Sequence, residues 1–189
     1  MREQALEILA ELDLMGLWGR FGRPVLVGAT AYDLVWDPDL DMEIYCPRVS
    51  AEQGFRVLGE CASRNPRVLS ARYDNLISGP DRAYYWQLRY RAEEGTEWKV
   101  DMWSAPEDYD LPRSEYLVEP MNRALNEELR ALIVGLKAAR RREPGLECLS
   151  IDLYRAVLED GVRSPETLRE WLASNETGGL SAWRPRPRG

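Results

Sequence analysis

Asp39, Asp41 and Glu43 alternate with Leu40, Met42 and Ile44 over six consecutive positions. A period of two is that of a β-strand, so the three carboxylates share one face and stand roughly 6.5–7 Å apart along it. Neighbouring like charges repel unless a cation lies between them. Oxygen ligands of this kind suit a hard divalent ion such as Mg²⁺, which takes one or two carboxylates together with substrate phosphates. Another acid, Asp101, lies within a second alternating stretch, 96–104. There Trp98, Val100 and Met102 face one way and Glu97, Lys99, Asp101 and Trp103 the other. If the two strands are neighbours, Asp101 adds a third carboxylate to the same spot. Upstream of both, the apolar run Pro24-Val25-Leu26-Val27 ends at Gly28. A glycine there lets backbone N–H groups approach a phosphate closely.

Each of these residues also has a plainer reading. Acidic and apolar residues in alternation are what the solvent face of an antiparallel strand shows. Asp101 has an ion-pair partner available in Lys99 on its own face, and Lys99 could equally meet a triphosphate. The order of the pieces favours the metal reading: a strand ending in glycine, an Asp-x-Asp-x-Glu strand, then a later strand with a central Asp. Composition agrees with it. The chain has no histidine, which removes Ser-His-Asp and Cys-His catalysis, histidine-ligated zinc and histidine general bases. Cys46, Cys61 and Cys148 are widely spaced and odd in number. They match neither a disulfide framework nor a zinc knuckle and point to a reducing, cytoplasmic setting. No apolar run is long enough to span a membrane, and the N-terminus opens into an amphipathic pattern rather than a secretory signal. A net charge of −7 opposes non-specific binding to nucleic acid phosphates.

Taken together, the pieces resemble the signature of the nucleotidyltransferase superfamily, the group with a polymerase β type core and small antibiotic-modifying members. That signature is an apolar residue, Gly, and Gly or Ser; a short spacer; Asp-apolar-Asp/Glu-apolar; and a third Asp on a later strand. Here the pieces are Val27-Gly28-Ala29, nine intervening residues, Asp39-Leu40-Asp41-Met42, and Val100-Asp101-Met102. The resemblance covers about residues 24–104. It implies that Asp39 and Asp41 hold Mg²⁺ (or Mn²⁺) and that Asp101 completes the metal site and helps deprotonate an acceptor hydroxyl. Gly28, Ala29 and Thr30 would then cradle the nucleotide phosphates, with Lys99 a further candidate for the nucleotide. Ala29 stands where the signature has Gly or Ser, which leaves Thr30 as the nearest hydroxyl. A second register, Asp41-Met42-Glu43-Ile44 after eleven intervening residues, also satisfies the pattern. Asp37-Pro38 ahead of Asp39 favours the first register, and Asp41 belongs to both.

The implied reaction is metal-dependent transfer of a nucleoside monophosphate from an NTP to a hydroxyl of a small molecule or protein. The acidic chain makes a nucleic acid acceptor the less expected choice. Two other uses of the same residues stay open: a nucleotidyltransferase fold that binds without catalysis, as a regulatory or antitoxin-like module, and a metal-dependent phosphate-ester hydrolase.

These residues need a scaffold, and the pattern supplies one. Helical spacing runs over 2–17, followed by the Pro24–Gly28 strand, a short helix over 30–36 and the acidic strand 39–46. Ser50, with Gln53 three residues on, opens a helix to about Ser63. Strands follow at 67–73, 83–92 and 96–104, the second rich in aromatics. Residues 114–142 read as helix interrupted at Pro120, with 126–142 its secure part, and two more helices follow at 150–159 and 165–173. The Lys137–Arg142 cluster reads as a solvated helix C-terminus. The expectation is an α/β (α+β) fold: a small mixed sheet in a nucleotidyltransferase-like core at 1–112, a helical region at 113–175 that helps shape the acceptor site, and a tail at 176–189.

Overall fold

The computed structural model describes residues 1–179 and 181–186. Leu180 and residues 187–189 of the expected tail lie outside the described residues. Among those described, eight helices and five strands form, and they group into two compact units.

The first unit comprises Met1–Ala31 and Asp37–Leu111. The apolar spacing over 2–17 predicts one helix. The chain forms two, α1 (Arg2–Glu11) and α2 (Leu14–Gly19), hinged at Asp13, whose φ of 49° is left-handed. Leu12 and Leu14 are both buried. Two residues apart, they would point to opposite sides of a continuous helix, and the break lets both face the core. Strand β1 (Arg23–Val27) leads into a five-residue helix, α3 (Gly28–Tyr32). This helix starts earlier than its expected span of 30–36 and stops at Asp33, which has a φ of 58°.

Strand β2 (Asp39–Cys46) carries the acidic row. Helix α4 (Ala51–Arg64) opens at the expected capping box, where the Ser50 N–H donates to Gln53 Oε1 at 3.0 Å. Strands β3 (Val68–Asn75), β4 (Tyr84–Arg91) and β5 (Glu97–Pro106) complete a mixed sheet in the order β1-β2-β5-β4-β3. Among the described strands only the β2–β5 pair is parallel.

Alternation along the strands sends Leu40, Met42, Ile44, Trp98, Val100, Met102, Trp86 and Leu88 into a core in which all eight are fully buried. Helices α2 and α4 pack against strands of this sheet. Trp18 of α2 donates its indole N–H to Met102 Sδ at 3.1 Å. Gly54 of α4 gives the Trp86 ring its room, since a methyl group there would overlap the ring. The opposite face of β2 and β5 carries the acids.

The second unit comprises Tyr32–Trp36 and the chain from Pro112 onward. Its helices are α5 (Glu115–Ala124), α6 (Glu127–Arg140), α7 (Ser150–Leu158) and α8 (Pro165–Ser174). The expected interruption at Pro120 falls instead at Leu125-Asn126. Pro120 lies inside α5, and the Asn126 side chain caps α6 by accepting from the Leu129 N–H at 2.9 Å. Lys137 departs from the solvated reading of its cluster. It is buried, donates to the Leu34 carbonyl at 2.9 Å and lies 5.3 Å from the centre of the Tyr154 ring. Its long stem carries the charge to a backbone acceptor that α6 itself could not reach. Among the described residues no helix is long and apolar enough to cross a membrane.

Candidate active site

The parallel pairing of β2 with β5 sets Asp41 directly beside Asp101 and Asp39 beside Lys99. The alternation that drives Leu40, Met42, Val100 and Met102 inward turns all four polar residues to the other face. Oxygens of Asp39, Asp41 and Asp101 lie within 4.8 Å of one another. On the far side of β2, Val27 is the register partner of Asp41. Gly28 follows at once, and its φ of 64° is a left-handed value that favours glycine. A Cβ at this position would overlap the Asp41 carboxylate. The glycine therefore brings the α3 backbone against the acid cluster.

Three donors hold Asp101. Tyr85 OH donates to Oδ1 at 2.8 Å, Gln87 Nε2 donates to the same oxygen at 3.1 Å, and the Lys99 ammonium donates to Oδ2 at 2.7 Å. Gln87 also donates to the Tyr85 oxygen at 2.6 Å, so the three side chains form one network. Lys99 reaches Asp39 Oδ2 as well, at 3.1 Å. Asp39 Oδ1 is buried and has no hydrogen-bond partner.

The electrostatics follow this sharing. Burial raises the Asp39 carboxyl above its ordinary range, and the Asp101 charge adds to the rise against the pull of Lys99. Lys99 is itself raised: burial opposes its charge, but the bond to Asp101 and the two carboxylates outweigh it. Lys99 is thus stabilised in its charged form, while at Asp39 burial outweighs the pull of the lysine. The Tyr85 phenol is pushed up to about 12, by burial first and then by its bond to Asp101.

The other sequence candidates occupy the surroundings. Thr30 is fully buried, its hydroxyl lies 3.5 Å from the Asp39 carbonyl, and its own carbonyl accepts from Arg2 Nε at 3.1 Å. Its side chain thus faces inward and ties α3 to the start of β2. Ala29 precedes it in the first turn of α3. Glu43 lies one strand step beyond Asp41 and accepts from Tyr45 OH at 2.5 Å; it is not one of the three clustered acids. Trp103 lies two residues beyond Asp101 and packs on Tyr85, with ring centres 4.8 Å apart. Tyr85 and Gln87 are the residues that sequence reasoning missed. Their signal was the alternation within the aromatic strand, which sets them on one face, but the strand partner and register were needed to aim them at Asp101.

The cluster fits a divalent cation. Its donors are all oxygen, three carboxylates crowd one spot, and the buried Asp39 Oδ1 lacks any hydrogen-bond partner among the described residues.

The mixed five-stranded sheet, the glycine turn into α3 and the aspartates on paired strands form a nucleotidyltransferase-like core, a fold that solved structures share. Among solved structures, the Cid1 poly(U) polymerase bound to MgGTP is similar, with a TM-score of 0.60 and 14% identity over 82% of this chain and 50% of that one. Cid1 with the UTP analogue UMPNPP gives 0.56 and 13%, covering 82% of this chain and 48% of that one. A cytoplasmic RNA terminal U-transferase gives 0.58 and 12%, covering 82% of this chain and 46% of the other. The chain thus spans about half the length of the structures it matches. No family model and no curated protein matches the sequence.

Proposed function

We propose that the protein is a metal-dependent nucleotidyltransferase that moves a nucleoside monophosphate from an NTP to an acceptor hydroxyl. The observation that carries this reading is the meeting of Asp39, Asp41 and Asp101 within 4.8 Å on this fold. Those three residues would hold Mg²⁺ or Mn²⁺. Bound there, a divalent ion neutralises charge on the transferring phosphoryl group and makes the acceptor hydroxyl more acidic. Gly28, Ala29 and Thr30 offer backbone N–H groups from the first turn of α3, where a helix leaves such donors without internal partners. Lys99 supplies a positive charge to the triphosphate. Asp101, held from behind by Tyr85 and Gln87, takes the proton of the acceptor hydroxyl.

Similar structures hold MgGTP and a UTP analogue, which supports an NTP donor. Two of the similar proteins are named as a poly(U) polymerase and an RNA terminal U-transferase. Net negative charge is therefore no argument against a nucleic acid acceptor, and a small molecule, a protein and an RNA end stand as equal candidates. The free cysteines support a reducing, cytoplasmic setting.

A second reading, a binding module without catalysis, draws on Ala29 and on the Lys99 ion pairs with Asp39 and Asp101, which offset part of the acids' charge without any metal. Incubation with labelled NTPs and Mg²⁺ or Mn²⁺ separates the readings. Transfer releases pyrophosphate, hydrolysis of the terminal phosphate releases phosphate, and a binding module releases neither. In the transfer assay, Asp41→Asn should lower the single-turnover rate by about a thousandfold or more. Glu43→Gln should stay within about threefold of the parent, as expected of an acid outside the clamp. If Glu43→Gln is as inactive as Asp41→Asn while Asp39→Asn stays active, the metal pair is instead Asp41 and Glu43.

A further inference from the structure

Lys99 stands among the three acids, with its Nζ 3.1 Å from Asp39 Oδ2 and 2.7 Å from Asp101 Oδ2. A divalent ion held by the same carboxylates would compete with the ammonium for them. An ammonium and a divalent ion cannot share them, because like charges in contact repel strongly in a partly buried site. We propose that Lys99 is a resident counter-ion that is displaced onto the nucleotide phosphates when metal enters, so that the cluster takes a divalent ion tightly only together with a nucleotide. The proposal rests on the metal-dependent reading above.

Three observations separate this arrangement from a fixed structural ion pair. The lysine leaves Asp39 Oδ1 buried and unpartnered, so it does not complete the site it occupies. Asp101 does not depend on it for orientation, since Tyr85 and Gln87 hold the other oxygen. The Lys99 side chain is 31% exposed, and its unbranched stem can swing the charge into the open. Residue type agrees. The chain has 25 basic residues and uses lysine only at 99 and 137. An arginine at 99 would grip a carboxylate with a rigid two-pronged fork, whereas an ammonium is a point charge that binds phosphate and carboxylate alike.

The test is a Mn²⁺ titration followed by the EPR signal of the free ion, on the wild type, Lys99→Met and Asp41→Asn, without nucleotide. Lys99→Met should bind Mn²⁺ about tenfold or more tightly than the wild type. In equilibrium dialysis at fixed Mn²⁺, the same variant should bind a non-hydrolysable NTP about tenfold more weakly. A second measurement uses the wild type alone and survives any failure of the variant to fold. Acetic anhydride labelling of Lys99, with buried Lys137 as internal reference, should rise on saturation with Mn²⁺ and fall again when the analogue is added. If Mn²⁺ binds the wild type and Asp41→Asn abolishes it, but Lys99→Met gains nothing or Lys99 labelling ignores the metal, the counter-ion proposal is overturned and the metal reading stands. If Mn²⁺ binds no variant, with or without nucleotide, both fall together.

Discussion

Tyr85 on β4 donates its phenol proton to Asp101 on β5, at 2.8 Å to Oδ1. With that phenol pushed up to about 12, the group remains a donor throughout the neutral range. It keeps its proton and the bond it makes with it, and so acts by fixing which oxygen of Asp101 faces the other acids. Tyr85→Phe should reduce stability by about 1 kcal/mol, the usual net value of one such bond. It should slow single-turnover transfer by about tenfold while leaving nucleotide affinity within about twofold. Urea melts, rapid-quench kinetics and equilibrium dialysis check the three parts. An equal loss in rate and affinity would mean that the phenol holds up the sheet rather than Asp101.

Gly28→Ala should do more damage than its size suggests. The left-handed φ alone costs a side chain about 1 kcal/mol or more, and the added methyl overlaps the Asp41 carboxylate. A loss of about 2–3 kcal/mol in urea melts is expected, together with loss of Mn²⁺ binding. Gly135→Ala is the matched control. It lies exposed inside α6, where a Cβ meets nothing within 4 Å. That change should stabilise the fold by about 0.5–1 kcal/mol.

Alkaline pH should weaken the first unit through two thiols. Burial pushes both Cys46 and Cys61 from an ordinary value of 9.0 up to about 11. A folded-state pKa above the unfolded one means that the native protein holds the proton more tightly. The contribution is therefore complete below about pH 9 and is lost as pH rises through about 11. Between pH 8 and pH 10 each thiol should remove about 1 kcal/mol of stability. Urea melts across that range test this, with Cys61→Ala flattening the slope. Native protein at pH 8 should also react with Ellman's reagent at Cys46 and Cys61 only on unfolding.

Much of the acid site could be read before the fold was known, because alternation is a local property. The period of two in 39–44 fixed which side chains share a face, and the same period in 96–104 placed Asp101 opposite Val100 and Met102. Register is not local. Nothing in the order of residues says that Gln87 lies opposite Asp101, so the network behind the third acid stayed hidden. The hinge at Asp13 was hidden for a related reason: Leu12, Leu14 and Leu17 fit a helical pattern loosely, and only packing decides whether Leu12 and Leu14 can both be buried. Lys137 was misread because its charge suggested solvent, while the carbonyl of Leu34 that receives it lies about a hundred residues earlier in the chain.

Residues Tyr32–Trp36 belong to the second unit, although the chain on either side of them builds the first. They join Gly28 to Asp39, the two flanks of the candidate site. What buries this passage arrives late in synthesis: Arg130 donates to the Tyr32 carbonyl, Lys137 to that of Leu34, and Tyr154 packs its ring edge-on against Tyr32 at 6.0 Å. A nascent polypeptide emerging from the ribosome therefore has all three aspartates in hand well before the stretch between glycine and first acid can be seated. A product ending before α6 would carry all three aspartates and still lack the side chains that hold residues 32–36. The seating of these five residues is thus tied to translation having run through α6 and into α7.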